Sequence, residues 1–274
     1  MSAIVYKIPL ARLGAFRGRA LVVRTDSPND LVVEVLRSDF PNLAYIQLRG
    51  LPSDTDVLVH WAEGVPLELL LDEPEQDFPS LYRYTKLLDN HPVRVAIPVA
   101  PGFEKAVKLA SSLQFAVRLE MGQPAAPLIA PLARVLDDYL HKSTVTQPIE
   151  FFHSLLLGYC RDESVDLWVI QEEDPALIRT IDEEGMERLP GRLSNLVPGP
   201  APEQFVADWS ARLSADGAEC AECPFFSVCR GYFKWPERDY DCAGVKDVLT
   251  ALKQAAEVLR ADLAAAAPPP GARP

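Results

Sequence analysis

Polar and apolar positions alternate with a period of two over the first fifty residues, and the pattern then changes to a strand-and-helix rhythm. The stretch Met1–Ala20 alternates like a strand although it carries several basic residues. Ala20–Arg24, Leu31–Leu36 and Leu43–Leu48 read as strands, separated by turn-rich pieces at Asp26–Asp30 and Ser38–Asn42. Further on, Val57–Trp61 and Leu67–Leu71 are apolar runs, Phe78–Leu88 has helical spacing, and Val93–Val99 is rich in β-branched residues. Gly102–Leu113 places Phe103, Val107, Ala110 and Leu113 on one helical face, Phe115–Glu120 reads as a strand, and Pro127–Leu140 as an amphipathic helix. Strands and helices alternating in this order predict parallel pairing through right-handed crossovers. The expected class is α/β, with Val57 to about Leu157 in a partial (β/α) barrel or an open α/β sheet.

Residues 149–160 read as an apolar helix, and Asp166–Gln171 with Arg179–Asp182 as a strand pair before Gly185. Pro190–Pro202 holds four prolines and two glycines, which marks a boundary. Beyond it come a short helix (Glu203–Leu213), a cysteine-rich stretch and a long amphipathic helix from Val245 to about Ala264. The expected organisation is therefore a unit over 1–190, a small C-terminal cysteine-rich domain over 191–265, and a disordered tail over 266–274. No internal repeat is evident.

Composition is that of an ordinary globular protein: 274 residues, 48 % apolar and 24 % charged. A net charge of −12 repels phosphate backbones and anionic lipid, so neither nucleic acid nor a membrane surface is an expected partner. There is no charged n-region followed by an apolar h-region and no apolar run of bilayer length, which sets the expectation of a soluble, cytoplasmic protein.

Five cysteines are too few, and odd in number, for a disulfide scaffold, yet four fall close together as Cys220, Cys223, Cys229 and Cys242, spaced C-x2-C-x5-C-x12-C. Four thiolates complete either a tetrahedral zinc site or an iron–sulfur cluster. Structural four-cysteine zinc sites commonly use two C-x2-C knuckles, and only one pair here has that spacing, which favours iron–sulfur ligation over zinc. The fifth cysteine, Cys160, lies seven residues after His153. On one helix the two share a face about 10 Å apart, too far for a nucleophile and its base, and Cys160 reads as a buried apolar thiol. His60, His91 and His141 have no spacing that builds a metal site. The acid-rich stretches Asp72–Asp77, Glu172–Asp174 and Asp182–Glu184 read as solvated faces. No P-loop, G-x-S-x-G or G-x-G-x-x-G motif occurs.

The cysteine run CAECPFFSVCRGYFKWPERDYDC resembles the SPASM domain, the auxiliary iron–sulfur module of radical S-adenosylmethionine enzymes that modify peptides. That family carries an upstream cysteine pair, then C-x2-C-x5-C-x3-C, then one further cysteine, and houses two [4Fe-4S] clusters. The resemblance assigns Cys220, Cys223, Cys229 and Cys242 to the second cluster. Phe233 stands where a ligand of the first cluster would be, and the upstream pair is absent. The family's C-x3-C-x2-C motif is also absent, so the resemblance is to a degenerate member without the cluster that cleaves S-adenosylmethionine. It implies one [4Fe-4S] cluster, shielded by Phe225, Phe226, Tyr232, Phe233, Trp235 and Tyr240 and tuned by Arg230, with no bound S-adenosylmethionine. It also implies a non-catalytic or electron-relay role beside a radical enzyme or a small peptide substrate. Three alternatives stand beside it: a structural zinc site in an interaction protein; a non-radical enzyme with its site at the barrel mouth, where the loops after Leu71, Val99 and Glu120 offer Asp72, Glu73, Pro101 and Gln123; and a homodimer formed through sheet edges.

Overall fold

A computed structural model describes residues 4–266 apart from 198, 200 and 218. Strand β1 (Val5–Pro9) leads through a 3-10 turn and the one-turn helix α1 (Leu13–Phe16) into β2 (Ala20–Thr25). Helix α2 (Pro28–Glu34), β3 (Leu43–Leu48) and β4 (Leu67–Leu70) follow. Helix α3 (Pro74–Asp77) then runs into a 3-10 helix over Phe78–Asp89. Next come β5 (Val93–Pro98), α4 (Phe103–Ser112), β6 (Ala116–Glu120), α5 (Ala126–His141), β7 (Ile149–Glu150) and α6 (Phe152–Arg161). Helix α7 (Leu167–Ile170) precedes β8 (Ile178–Ile181) and β9 (Glu187–Arg188). The chain closes with α8 (Phe205–Ala215), α9 (Phe226–Cys229) and α10 (Ala243–Ala266). The expected tail beyond Ala266 lies outside the described residues.

The strands form one sheet in the order β7-β6-β5-β4-β3-β2-β1-β8-β9, parallel throughout except for β8 against β9. From β1 to β7 the order advances in a single direction, as barrel units do, so right-handed crossovers place the connecting helices on one face. The sheet is open, because β7 and β9 end it without pairing to each other.

Its two faces differ in chemistry. Ile8, Leu21, Val23, Ile46, Leu48, Leu67, Leu69, Val95, Ile97, Val117 and Leu119 are buried and form one apolar face, as side-chain alternation along each strand requires. The other face carries Lys7, Tyr45, Gln47, Glu68, Arg94 and Arg118. Register sets Gln47 beside Glu68 and Glu68 beside Arg94, with Arg118 on the same face of β6. Glu68 is fully buried and accepts from Gln47 at 2.6 Å, Arg94 at 2.7 Å and Arg118 at 2.8 Å. Arg94 reaches on to Glu172 at 2.6 Å, and Lys7 closes the chain of charges on Glu172 at 2.7 Å. Burial alone would raise the Glu68 pKa. The two guanidiniums outweigh it and hold the carboxyl below its ordinary value.

The strand-like stretch Met1–Ala20 is a strand over Val5–Pro9 and helical over Leu10–Phe16, and two further segments read as strands are helical. Over Leu31–Leu36 the chain forms most of α2: the Ser27 hydroxyl accepts from the Asp30 N–H at 3.3 Å and Pro28 occupies the first turn, so capping overrides an apolar run. Leu31 is buried, whereas Val33 is 75 % exposed. Asp166–Gln171 forms α7, because Asp166 caps it by accepting from the Trp168 N–H at 2.9 Å. The intended partner strand exists as β8, but it pairs with β1 and β9. The apolar helix read over 149–160 is split into the short strand β7 and α6.

Residues after Pro190 share the core of the sheet. Val206, Trp209, Leu213, Tyr232, Phe233, Val248 and Leu252 belong to the same contiguous apolar cluster. Trp168 is one joint, edge-on to Phe205 at 5.8 Å and to Tyr232 at 5.2 Å. Among the described residues, no helix is long and apolar enough to cross a membrane.

Candidate metal centre

Two short helical segments and the start of α10 set the four cysteines around one cavity. Cys220 sits in a 3-10 turn (Glu219–Glu222), Cys223 directly follows it, Cys229 ends α9, and Cys242 immediately precedes α10. All four are free thiols and line one cavity with Phe225, Phe226, Phe233, Val245 and Leu249. The backbone that follows Cys229 explains its environment. Arg230 and Gly231 are both left-handed, with φ of 48° and 77°, and this turn aims the N–H groups of Gly231, Tyr232 and Phe233 at the Cys229 sulfur. Only glycine serves at 231, since a Cβ there would lie 2.3 Å from Leu213 Cδ1.

Charge is arranged around the thiols. Lys234 bonds Glu219 at 2.6 Å and the Tyr240 carbonyl at 2.6 Å, and Lys246 bonds Glu219 at 2.9 Å. These two lysines hold the Glu219 carboxyl at a pKa of about 2. Burial works against the charge on Lys234, but Glu219 and the nearby Cys242 and Cys220 outweigh it, so its pKa is raised. Burial pushes up the thiols of Cys220, Cys229 and Cys242, Cys229 to about 11 and Cys242 to about 12. These three are therefore protonated at neutral pH unless a metal displaces the protons. Tyr159 lies close enough for its phenol to feel Cys229, and its buried hydroxyl has no hydrogen-bond partner among the described residues.

Four sulfurs, the backbone N–H groups after Cys229 and two flanking cations share this part of the molecule. Among the described residues, no group of three or more His, Cys, Asp or Glu side chains is drawn together as a single metal ion requires. Tetrahedral zinc would hold its sulfurs about 3.8 Å apart, given a Zn–S bond of about 2.3 Å.

Several of the expected neighbours sit elsewhere. Phe225, Phe226 and Phe233 line the cavity, but Tyr232 and Trp235 face the Trp168–Phe205–Trp209 cluster, and Arg192 lies over the Tyr232 ring at 4.0 Å. The Tyr240 hydroxyl donates to the Pro124 carbonyl, and Arg230 pairs with Asp166 at 2.8 Å rather than with the thiols. Cys160 is half-buried instead of buried, and His153 meets Tyr139 at 2.8 Å. His91 is buried between the Val65 and Leu58 carbonyls. Sequence reasoning missed Lys234 and Lys246. The one signal for Lys234 is a lysine inside the aromatic run GYFKWP.

At the C-terminal ends of the strands a second cavity, of about 330 Å³, opens above the buried charges, where Lys7, Arg118, Glu120, Glu172, Glu173 and Arg192 converge. None of the four loop residues expected there lines it, and Gln123 is instead bonded to the Phe233 and Glu237 carbonyls. Comparison with known protein families, with curated proteins and with solved structures finds no match.

Proposed function

We propose that this chain binds one [4Fe-4S] cluster through Cys220, Cys223, Cys229 and Cys242 and acts as a non-catalytic or electron-relay partner in radical-type peptide modification. The observation that carries the reading is the convergence of four free thiols from separate elements on one cavity flanked by Lys234 and Lys246. A bound cluster would supply one-electron transfer. The chain's part is to hold the sulfurs, to donate N–H groups to Cys229, to offset thiolate charge with two lysines and to keep water out with Phe225, Phe226 and Phe233. The absence of other ligand cysteines in the sequence supports a supporting role over radical generation.

Iron and sulfide analysis of anaerobically purified protein tests this. About four irons and four sulfides per chain are expected, with strong loss in Cys223→Ala and none in Cys160→Ala. One zinc per chain without sulfide would replace the relay with a structural metal site, and no metal at all would sink both. The mouth cavity gives a second reading, a site for a small molecule bearing both charge signs. Protection of the cavity backbone from hydrogen exchange by such a compound would favour it.

A further inference from the structure

Helix α10 has two working faces. Val245, Lys246 and Leu249 face the thiol cavity, while Val248, Ala251, Ala255, Val258 and Leu259 follow an i, i+3, i+7, i+10, i+11 stripe along a groove shared with α5. Ala130 and Ala133 of α5 form the opposite side and Leu156 of α6 contributes to the lining, giving a groove of about 990 Å³. Among the described residues nothing covers its outer end: Val258 is 62 % exposed and Leu259 37 %. From Gly244 to Asp262 it runs about 27 Å, the length of a helix of about 20 residues.

The groove's rim is charged with one sign. Asp137, Asp247 and Asp262 border it; among the described residues no lysine or arginine lines it, and the one titratable base, His141, lies 3.7 Å from Asp137. We infer that this groove docks an amphipathic helix of a partner protein, with small apolar residues on its buried face and lysine or arginine along its edges. Small side chains on the α5 and α10 walls allow close helix approach, and the acidic rim selects a basic partner. A second copy of this chain fits badly, since a two-fold contact would set the aspartates of one copy against those of the other. The docking stands on α5 and α10 and does not need the metal. It places the partner one helix width, about 10 Å, from the thiol-lining face of α10.

The probe is a fluorescein-labelled synthetic helix of about 20 residues built from Leu, Ala and Lys, titrated into the full chain and followed by anisotropy. Saturable binding is expected, with no binding of the same peptide carrying Glu in place of Lys. Affinity should fall at least roughly tenfold in Asp137→Lys/Asp247→Lys/Asp262→Lys and in Val258→Ser/Leu259→Ser. The same charge change placed away from the groove, Glu63→Lys/Asp89→Lys/Asp208→Lys, should leave it unchanged. All these positions are exposed, so circular dichroism should be unaltered. Equal weakening by both lysine sets would reduce the effect to net charge, and absent binding would overturn the proposal. A sedimenting dimer that Val258→Ser/Leu259→Ser dissociates would assign the groove to a second copy. Iron content is measured on the same samples, so that binding by iron-free protein separates the fate of this proposal from that of the cluster.

Discussion

Glu68 holds more of this molecule together than its single charge suggests. It is wholly buried, and two guanidiniums and one amide converge on its two oxygens. Removing one partner from such a network strands the others away from water. Glu68→Ala is expected to cost about 3–5 kcal/mol, read as a drop in the denaturant midpoint at pH 7. The network leaves a trace in the sequence. The strands VYKIP, LAYIQL, LELL, VRVAIP and AVRLE each carry at least one polar or charged residue among apolar ones. Only parallel register turns those isolated residues into neighbours. The cysteines are more legible because their spacing carries the information directly, whereas Lys234, in a 3-10 turn, and Lys246, near the start of α10, reach the site through tertiary packing that no spacing fixes.

Short elements are where local chemistry and apolar patterning disagreed. The segment Ser27–Val35 offers an apolar run that could line a strand, and it also offers a cap, a proline at the first position and an acid in the first turn. The cap prevails because Pro28, Leu31 and Val35, spaced i, i+3, i+7, meet the core from one side of a helix, leaving the rest free to follow the backbone. Ser27→Ala removes the acceptor for the Asp30 N–H and is expected to lower stability by about 1 kcal/mol, with α2 amides exchanging faster in hydrogen-exchange measurements. Helices α4 and α5 are legible for the complementary reason. In α4, Phe103, Val107 and Ala110 lie on one buried face, and over ten residues periodicity outweighs any single cap. Gly102 adds a constraint invisible in the pattern: at φ of 84° it starts α4 where a Cβ would lie 2.4 Å from the Glu75 backbone.

For the whole molecule, the carboxylates set the response to acid. Glu172, like Glu68, is held low: burial opposes its charge, but Lys7, Arg118 and Arg94 prevail. Glu104 and Glu219 sit at about 2, through Arg134 and Lys108 in one case and Lys234 and Lys246 in the other. A carboxyl whose folded pKa is depressed stabilises the fold above its unfolded value and loses that contribution as pH falls toward the folded value. The thermal midpoint should therefore hold between pH 7 and 5, then fall steadily from about pH 4.3 toward 2, with a shallower slope in Glu68→Gln. The α/β class and the parallel order were readable from the alternation of strands and helices. The one-sided polar face was not, because it depends on which strands become neighbours. The placement of β8 beside β1 has a consequence for synthesis. Val5 pairs on one side with Ala20, a short loop away, and on the other with Ile178. On the ribosome, β1 gains its first neighbour almost at once and waits for most of the chain before it gains the second. Until then its free edge is open to any other strand, so nascent or truncated chains ending before Ile178 present an unpaired ladder that the finished protein conceals.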